Sequence, residues 1–214
     1  MISEEDKNLL QNCTIFLKTI YNRFMIRKDI KTFAKSIPNH VKLVVASKYY
    51  DVDDLNVLLN NGISNFGENR VDSFLSKYEF FKKGEICWHY IGHLQRNKAK
   101  KVLNKIEYLH SLDSLELAKM INDLRVTPLK TFIEVSINEE ENKNGVKVSE
   151  LDNFVKEVLK YKKVELVGLM MMAIDNSSIE SLHKQFSRLR NVRDELEKKF
   201  QIKLPHLSMG MSQS

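Results

Sequence analysis

The sequence has few of the residues that interrupt secondary structure or form covalent frameworks. Its 214 residues include only 7 glycines and 3 prolines, so no segment is predicted to be a flexible linker or a low-complexity tract. The two cysteines, Cys13 and Cys87, lie far apart and outside any CxxC pattern, which argues against a disulfide framework or a zinc site. Both lie in apolar patterns and are predicted to be small buried side chains. We therefore expect a single domain over residues 1–214.

The sequence also lacks long apolar runs and clustered charge of one sign. No run approaches the roughly 18 apolar residues of a membrane span, and the acidic start of the chain lacks the apolar core of a signal peptide. We therefore expect a cytoplasmic protein without a membrane partner. The net charge is +6, from 34 Lys and Arg against 28 Asp and Glu, but the basic residues are interleaved with acidic ones. Because a nucleic-acid interface needs clustered basic residues, no nucleic-acid partner is expected.

Short β-rich runs alternate with longer amphipathic stretches along the chain. An opening helix is predicted from Ser3 as a cap and from apolar residues at three- and four-residue spacing, namely Leu9, Cys13, Phe16, Ile20 and Phe24. Seven apolar runs then predict strands at 41–48, 63–69, 86–92, 108–113, 131–137, 164–173 and 204–211. Near-continuous hydrophobicity is typical of parallel strands covered on both faces, and repeated strand–helix units imply right-handed crossovers. This pattern fits either a doubly wound open sheet or a barrel that lacks one strand.

Two of the predicted helices carry specific expectations. Ser149 is expected to cap a helix, with Asp152 at the third position of a capping box. The buried side of that helix is predicted to consist of Leu151, Val155, Val158 and Leu159. The helix between residues 179 and 200 has apolar residues at three- and four-residue steps, and Arg193 is the one polar break in that stripe.

Polar residues collect where four of the predicted strands end. The first strand ends at Lys48, the second ends at Asn69, and the third carries His89. The seventh strand leads into residues 208–212, with the sequence Ser-Met-Gly-Met-Ser. The carboxyl ends of parallel strands meet at one edge of a sheet or barrel, where loops and helix N-termini converge. Four strands that direct polar groups to one rim favour a single site there.

Lys48 is the residue most strongly indicated for chemistry. If strand alternation holds, Lys48 shares the inward face of its strand with Val44 and Ala46. Burial disfavours an ammonium group and lowers its pKa, which makes the amine a nucleophile that can form a Schiff base. The alternative is a lysine that leaves the strand into solvent, and the pattern alone does not separate the two.

The other candidate residues have structural explanations as well. Backbone N–H groups and hydroxyls at 208–212 can bind an anion, as the loops after the last strands of TIM barrels do, but the segment also fits an ordinary glycine turn. Asn69 could cap a helix, and His89 could be a core histidine. Neither paired carboxylates nor an HExxH pattern is found, so hydrolase chemistry has little support.

Several segments in the same order resemble the pyridoxal phosphate homeostasis protein family, also called the proline synthetase co-transcribed family. These segments are residues 45–48, 65–69, 88–98, 168–170 and 207–212. The resemblance implies a TIM-type (β/α)8 barrel similar to the N-terminal domain of alanine racemase, preceded by a helix. It further implies a carrier or buffer of pyridoxal 5′-phosphate (PLP) for vitamin B6 homeostasis, with no catalytic reaction of its own. The implied partners are PLP and PLP-dependent apoenzymes, and we expect a monomer.

The resemblance also assigns residues to the cofactor. Lys48 would hold PLP as a Schiff base, with Asn69 and His89 near the ring and Met170 among the binding residues. The phosphate would be surrounded by Ser208, Gly210, Met211 and Ser212. A racemase needs a second acid/base group on the opposite face of the cofactor, which in alanine racemase comes from a further domain, so a carrier is favoured.

The chain departs from the family pattern at its end. Family members continue with an acidic residue, a helix and an eighth strand that carries an Arg and a Gly-Thr pair, whereas this sequence ends at Gln213 and Ser214. We therefore expect a barrel without that last strand, and with two exposed edges. Two alternatives to the carrier remain: a racemase-like PLP enzyme, and a truncated barrel that no longer binds the cofactor tightly.

Overall fold

The computed structural model describes residues 13–17, 23–137, 145–173 and 178–211, with side chains described from Ile30 to Gly210 within those ranges. The strands are β1 (Cys13–Leu17), β2 (Lys42–Ala46), β3 (Asn65–Glu68), β4 (Cys87–Tyr90), β5 (Tyr108–Leu112), β6 (Leu129–Ser136), β7 (Val146–Lys147), β8 (Val164–Ala173) and β9 (His206–Met211). The α-helices are α1 (Arg23–Ser36), α2 (Val52–Asn60), α3 (Val71–Tyr78), α4 (Arg96–Val102), α5 (Leu115–Leu124), α6 (Leu151–Val158) and α7 (Ile179–Phe200). Short 3-10 turns follow β2 at Ser47–Tyr49 and β7 at Val148–Glu150.

Eight parallel strands form a closed barrel, in the order β1, β2, β3, β4, β5, β6, β8, β9 and back to β1. The decisive pairing joins β5 to β6, where Tyr108 lies opposite Lys130. An open doubly wound sheet would leave these strands as edges, so the barrel alternative is the correct one. The short strand β7 adds to the outside of this ring through β6, with Val135 opposite Val146.

The first strand corrects the prediction for the start of the chain. Residues 13–17 form β1 rather than part of a helix, and Thr14 pairs with both Lys42 of β2 and Ser208 of β9. A short apolar run with β-branched residues fits either period, and the two strand edges beside it supply its backbone partners. Phe24 does lie in helix α1, whereas Ser3, Leu9 and Ile20 lie outside the described residues.

The position of β1 also corrects the expectation that the barrel has two exposed strand edges. β1 occupies the position between β9 and β2, where the family pattern led us to expect a gap. Within the described residues the ring is therefore complete, although the strand that fills it comes from the beginning of the sequence. The expected (β/α)8 barrel architecture is present, and the occupant of the eighth position is the difference from the expectation.

The main core lies between the barrel and its helices. Phe74 of α3 packs edge-on against Trp88 of β4, with ring centres 5.3 Å apart, and Leu189 and Leu196 of α7 are buried on another side. Inside the barrel Cys87 is half-buried, and burial raises the pKa of its thiol to about 11. Within the described ranges, no helix is both long and apolar enough to cross a membrane.

Two helix predictions need correction. Helix α6 begins at Leu151 after Glu150, and Ser149 lies in the preceding 3-10 turn, so the expected capping box does not form. Leu159 was expected on the buried side, but it lies just after Val158, the last residue of the helix, and is 46% exposed. Arg193 is buried as its position in the apolar stripe of α7 requires, and its guanidinium donates to the carbonyl of Leu204.

Candidate functional site

Lys48 lies at the carboxy-terminal rim of the barrel, just beyond β2. The strand ends at Ala46, and the 3-10 turn Ser47–Tyr49 follows, so strand alternation does not reach Lys48 or fix its direction. Its side chain is half-buried, and its ammonium lies 4.6 Å from the centre of the Tyr49 ring. It borders an open cavity of about 600 Å³ between the turn and helices α2 and α3.

A buried polar cluster holds the turn that carries Lys48. The ammonium of Lys77 donates to the carbonyl of Ser47 at 2.6 Å and to the carboxylate of Glu68. The Ser47 hydroxyl donates to the same carboxylate at 2.8 Å. Glu68 is fully buried and its Oε2 atom has no hydrogen-bond partner among the described residues, so Lys77 provides the neutralising charge. The residue before Lys48 is therefore fixed by a charge-assisted network.

Asn69 is held at the same rim by a close approach of two chain segments. A Cβ atom at Gly92 would lie 2.4 Å from the carbonyl oxygen of Asn69, so only glycine permits this approach. The hydroxyl of Tyr90 donates to that carbonyl at 3.3 Å. The side-chain Oδ1 of Asn69 is buried and has no partner within the described part of the chain, so it can accept a hydrogen bond from a ligand.

His89 lies inside the barrel and belongs to a buried chain of hydrogen bonds. Its Nε2 lies 3.2 Å from Oδ1 of Asn65, and its Nδ1 lies 2.8 Å from Nε2 of His110. The Nδ1 of His110 lies 2.9 Å from the hydroxyl of Ser208. Burial lowers the pKa of His89 to about 3 and that of His110 well below its usual value, and Lys42 adds to both effects. Both imidazoles are therefore neutral near pH 7.

Because both imidazoles are neutral, the hydrogen bonds between these side chains must all run in the same donor-to-acceptor order. Each ring has one N–H donor and one acceptor nitrogen. With Oδ1 of Asn65 as an acceptor, His89 donates from Nε2, His110 donates from Nε2 to His89, and Ser208 donates its hydroxyl proton to His110. A turned Asn65 amide would donate to His89 and reverse this order; Sγ of Cys87, 3.6 Å from Nε2 of His89, is a second partner of that nitrogen. We call this group, Asn65, His89, His110 and Ser208, the interior relay.

The remaining expected residues follow the register of β8 and β9. Met170 is buried and lies opposite Ser208, while Met172 lies opposite Gly210 two residues nearer the rim. The backbone of Met211 pairs with Ala173, and Ser212 lies outside the described residues. The structure thus joins His89 to Ser208 through His110 and places Met170 next to Ser208. Among the described residues, it shows no contact between Lys48 and any of these groups.

The sequence interpretation missed four residues of this region. His110, Asn65 and Lys77 have no distinguishing local pattern, and only the folded chain brings them to their partners. Glu134 offers a signal, because it is a carboxylate in the middle of the apolar run Thr-Phe-Ile-Glu-Val. Burial, followed by the nearby charge of Asp113, raises the pKa of Glu134 to about 7.

The fold defines the class of protein, and a family model agrees. The model described as "Alanine racemase, N-terminal domain" matches residues 22–214. Alanine racemase of Corynebacterium glutamicum has the same fold, with a TM-score of 0.69 at 13% identity, over 94% of this chain and 55% of the racemase. PipY of Synechococcus elongatus, solved without and with PLP, is similar with a TM-score of 0.77, at 23% and 21% identity, over 86% of this chain and 97% of PipY.

Sequence relatives identify the branch of this class. A pyridoxal phosphate homeostasis protein of Aquifex aeolicus is 37% identical over 180 residues, which cover 81% of this chain and 78% of the relative. A protein of the same name from Schizosaccharomyces pombe is 35% identical over 195 residues, which cover 88% and 80%. The chain belongs to the pyridoxal phosphate homeostasis protein family, within the alanine racemase N-terminal class.

Proposed function

We propose that this protein binds PLP through Lys48 and serves as a carrier or buffer of the cofactor, without a catalytic reaction of its own. The observation that carries the proposal is the position of Lys48, a half-buried amine on an anchored turn at the carboxy-terminal rim. No ion pair of Lys48 with a carboxylate is found among the described residues, so its amine is available. The name shared by the relatives and the PLP-bound structure of PipY support this assignment.

Lys48 would hold PLP through its amine, and the bound cofactor would supply the aldehyde group with which a lysine amine can condense, with water as the leaving group. Asn69 offers its buried and unpartnered Oδ1 to the bound molecule, and Met170 provides an apolar surface. We expect Ser208, Gly210, Met211 and Ser212 to contact the phosphate, to which backbone N–H groups and hydroxyls would donate. His89 lies deeper inside the barrel and contributes indirectly, because it orients the Ser208 hydroxyl through His110.

Release of the cofactor is part of the proposed role. Lys48 borders an open cavity, and the exposed aromatic rings of Tyr49 and Phe80 lie at its edge, 69% and 71% accessible. An open site lets water reach the Schiff base and lets a PLP-dependent apoenzyme receive the released cofactor. We assign the protein to the cytoplasm as a monomer with one barrel domain, which size-exclusion chromatography and fractionation can test.

The experiment that tests PLP binding combines absorbance with chemical trapping. The purified chain is mixed with PLP, its near-visible spectrum is recorded, and the mixture is reduced with borohydride and mapped by peptide mass spectrometry. We expect a yellow species that reduction fixes on Lys48. Lys48→Ala should lack it, and Lys101→Ala, which removes an exposed lysine from α4, should retain it. An unlabelled Lys48 in folded protein would overturn the proposal.

A racemase-like activity is the second candidate, and Glu134 is the observation that favours it. A carboxyl group with a pKa near 7 is suited to proton transfer at neutral pH. The test measures exchange of the α-proton of amino acids in heavy water with PLP-loaded protein. Exchange above the rate of free PLP, lost in Glu134→Gln, would establish the enzyme. The carrier proposal requires that the rate equal that of free PLP.

A further inference from the structure

A second cavity lies at the amino-terminal end of the barrel, opposite the rim that carries Lys48. Its volume is about 440 Å³, and its lining comes from the end of α1, the starts of β2 and β3, and His206 at the start of β9. A cavity of this size accommodates a small organic molecule. We call it the lower cavity. The proposed carrier function does not use it.

Two lysines concentrate positive charge beside the lower cavity. Lys42 lines the cavity, and its ammonium lies 3.4 Å from the Tyr108 hydroxyl and 5.0 Å from the centre of the Tyr108 ring. The ammonium of Lys130 lies 5.3 Å from the centre of the same ring. Lys130 is not part of the cavity lining, but both amines approach the same ring, so its charge adds to that of Lys42 at this end of the barrel.

Neither lysine is neutralised within the described part of the chain. No carboxylate there lies within ion-pair distance of Lys42 or Lys130, and Glu165, the register partner of Lys130 on β8, is exposed and forms no described pair with it. The residues that line the lower cavity include no Asp or Glu. After burial, Lys42 and Lys130 are the charges that lower the pKa of His206, so their positive potential extends across the cavity.

The lining also offers neutral donors and an apolar wall. Asn65 and Ser64 lie at the start of β3, and His206 faces them from β9. Ile37, Pro38 and Val41 supply apolar surface on the side of α1. A ligand with one anionic end and one apolar or aromatic end therefore matches the two halves of the cavity.

We propose that the lower cavity binds a small organic phosphate monoester, with Lys42 contacting the phosphate and Lys130 adding positive potential beside it. A phosphate monoester carries close to two negative charges at neutral pH, which suits two unpaired ammonium groups better than a single carboxylate does. The cavity is much larger than a phosphate group, so the organic part of the ligand occupies the remaining space against the apolar wall. This site is separate from the Lys48 rim.

The test uses phenyl phosphate, inorganic phosphate and benzoate as probes. Each is titrated into the Lys48→Ala full-length chain, and the imidazole signal of His206, assigned with His206→Gln, is followed by NMR. Lys48→Ala removes the amine of the rim as a competing contact for anions, and the His206 signal reports the lower cavity even if an anion also binds at the rim. The double variant Lys42→Gln/Lys130→Gln is compared with Lys100→Gln/Lys101→Gln, which removes two exposed lysines from α4.

Phenyl phosphate should shift the His206 signal and bind more tightly than either inorganic phosphate or benzoate. Its dissociation constant should rise by about tenfold or more in Lys42→Gln/Lys130→Gln, because the charge-assisted contact of Lys42 and the neighbouring charge of Lys130 are both lost. It should change by less than about twofold in the control, where screened surface charges are removed. An unmoved His206 signal, an unchanged affinity in the lysine variant, or equal binding of all three probes would overturn the proposal.

Discussion

Nδ1 of His89 and Nε2 of His110 lie 2.8 Å apart, so two neutral imidazoles share one hydrogen bond inside the barrel. That single bond connects Asn65 near the amino-terminal end of the barrel with Ser208 on β9. Only one of the two nitrogens can carry the proton between them. The state of the Asn65 amide and that of the Ser208 hydroxyl are therefore coupled, although the two residues do not touch.

The buried histidines predict a loss of stability in acid. The pKa of His89 is lowered to about 3 and that of His110 is also lowered, whereas histidine in an unfolded chain has a pKa of about 6.5. Below about pH 6.5 the unfolded state binds more protons than the folded state, so the free energy of unfolding falls as the pH drops towards 3. Urea denaturation at pH 7.5, 6 and 5 measures this slope. In His89→Gln/His110→Gln the slope should be shallower, and an equal slope would contradict the assignment.

The pair of Lys77 and Glu68 predicts a large asymmetric effect of mutation. Lys77→Met leaves the carboxylate of Glu68 buried without its positive partner, which should lower the free energy of unfolding by about 3–5 kcal/mol. Lys77→Met/Glu68→Met removes both charges and should recover most of that loss. Denaturant titration provides both values. The exposed pair of Lys98 and Asp72 is the control, and Lys98→Met should cost less than about 1 kcal/mol.

Glu134 predicts a stability change that depends on pH in the opposite direction. Its pKa is raised to about 7, so the folded state holds a proton that the unfolded chain releases above about pH 4.5. Its contribution to stability is present below that pH and is lost as the pH rises towards 7. Glu134→Gln should therefore be more stable than the wild type by roughly 1–3 kcal/mol at pH 8 and by little at pH 4.5. Thermal or urea denaturation compares the two.

Glu165→Gln is the matched control for Glu134→Gln. Glu165 is an exposed carboxylate on the neighbouring strand β8. The same neutralisation there should have no comparable pH-dependent effect. A difference between Glu134→Gln and the wild type that stays constant from pH 4.5 to pH 8 would show that the carboxyl group titrates normally.

Gly92 predicts a link between backbone packing and cofactor affinity. In Gly92→Ala the new Cβ would lie 2.4 Å from the Asn69 carbonyl oxygen, so Asn69 must move. Overpacking of this kind costs about 1–3 kcal/mol of stability, and PLP affinity should fall with the displacement of Asn69. Fluorescence titration with PLP measures that affinity. Asn69→Ala should weaken PLP binding without the same loss of stability, and undiminished affinity in Gly92→Ala would exclude Asn69 from the cofactor site.

Of the eight strands from β2 to β9, all except the two-residue β7 were predictable, because each is a compact apolar run between amphipathic helices. Residues 13–17 were assigned to a helix because five apolar or β-branched residues fit both the helical and the strand period. They form a strand because the edges of β2 and β9 offer backbone partners. Those edges lie far away in sequence. Local pattern therefore cannot decide the structure of this segment.

The residues of the candidate site also include some that the sequence indicates and some that it does not. Lys48 and Asn69 are recognisable because polar residues that end apolar strands are unusual. His110 and Lys77 are not, since a histidine within β5 and a lysine within an amphipathic helix look ordinary until they meet Ser208 and Glu68. The alternation of a strand also could not predict where the Lys48 side chain points, because the strand ends at Ala46.

The place of β1 in the barrel also affects the order in which the molecule can assemble. Of the strands that the structure describes, β1 leaves the ribosome first, yet one of its two neighbours, β9, is synthesised last. Until then the edge of β1 that pairs with β9 has no partner, and contacts between such distant parts of a chain form slowly. The growing chain therefore carries an unclosed barrel throughout its synthesis, and during that interval it depends most on chaperones or on a high rate of final closure.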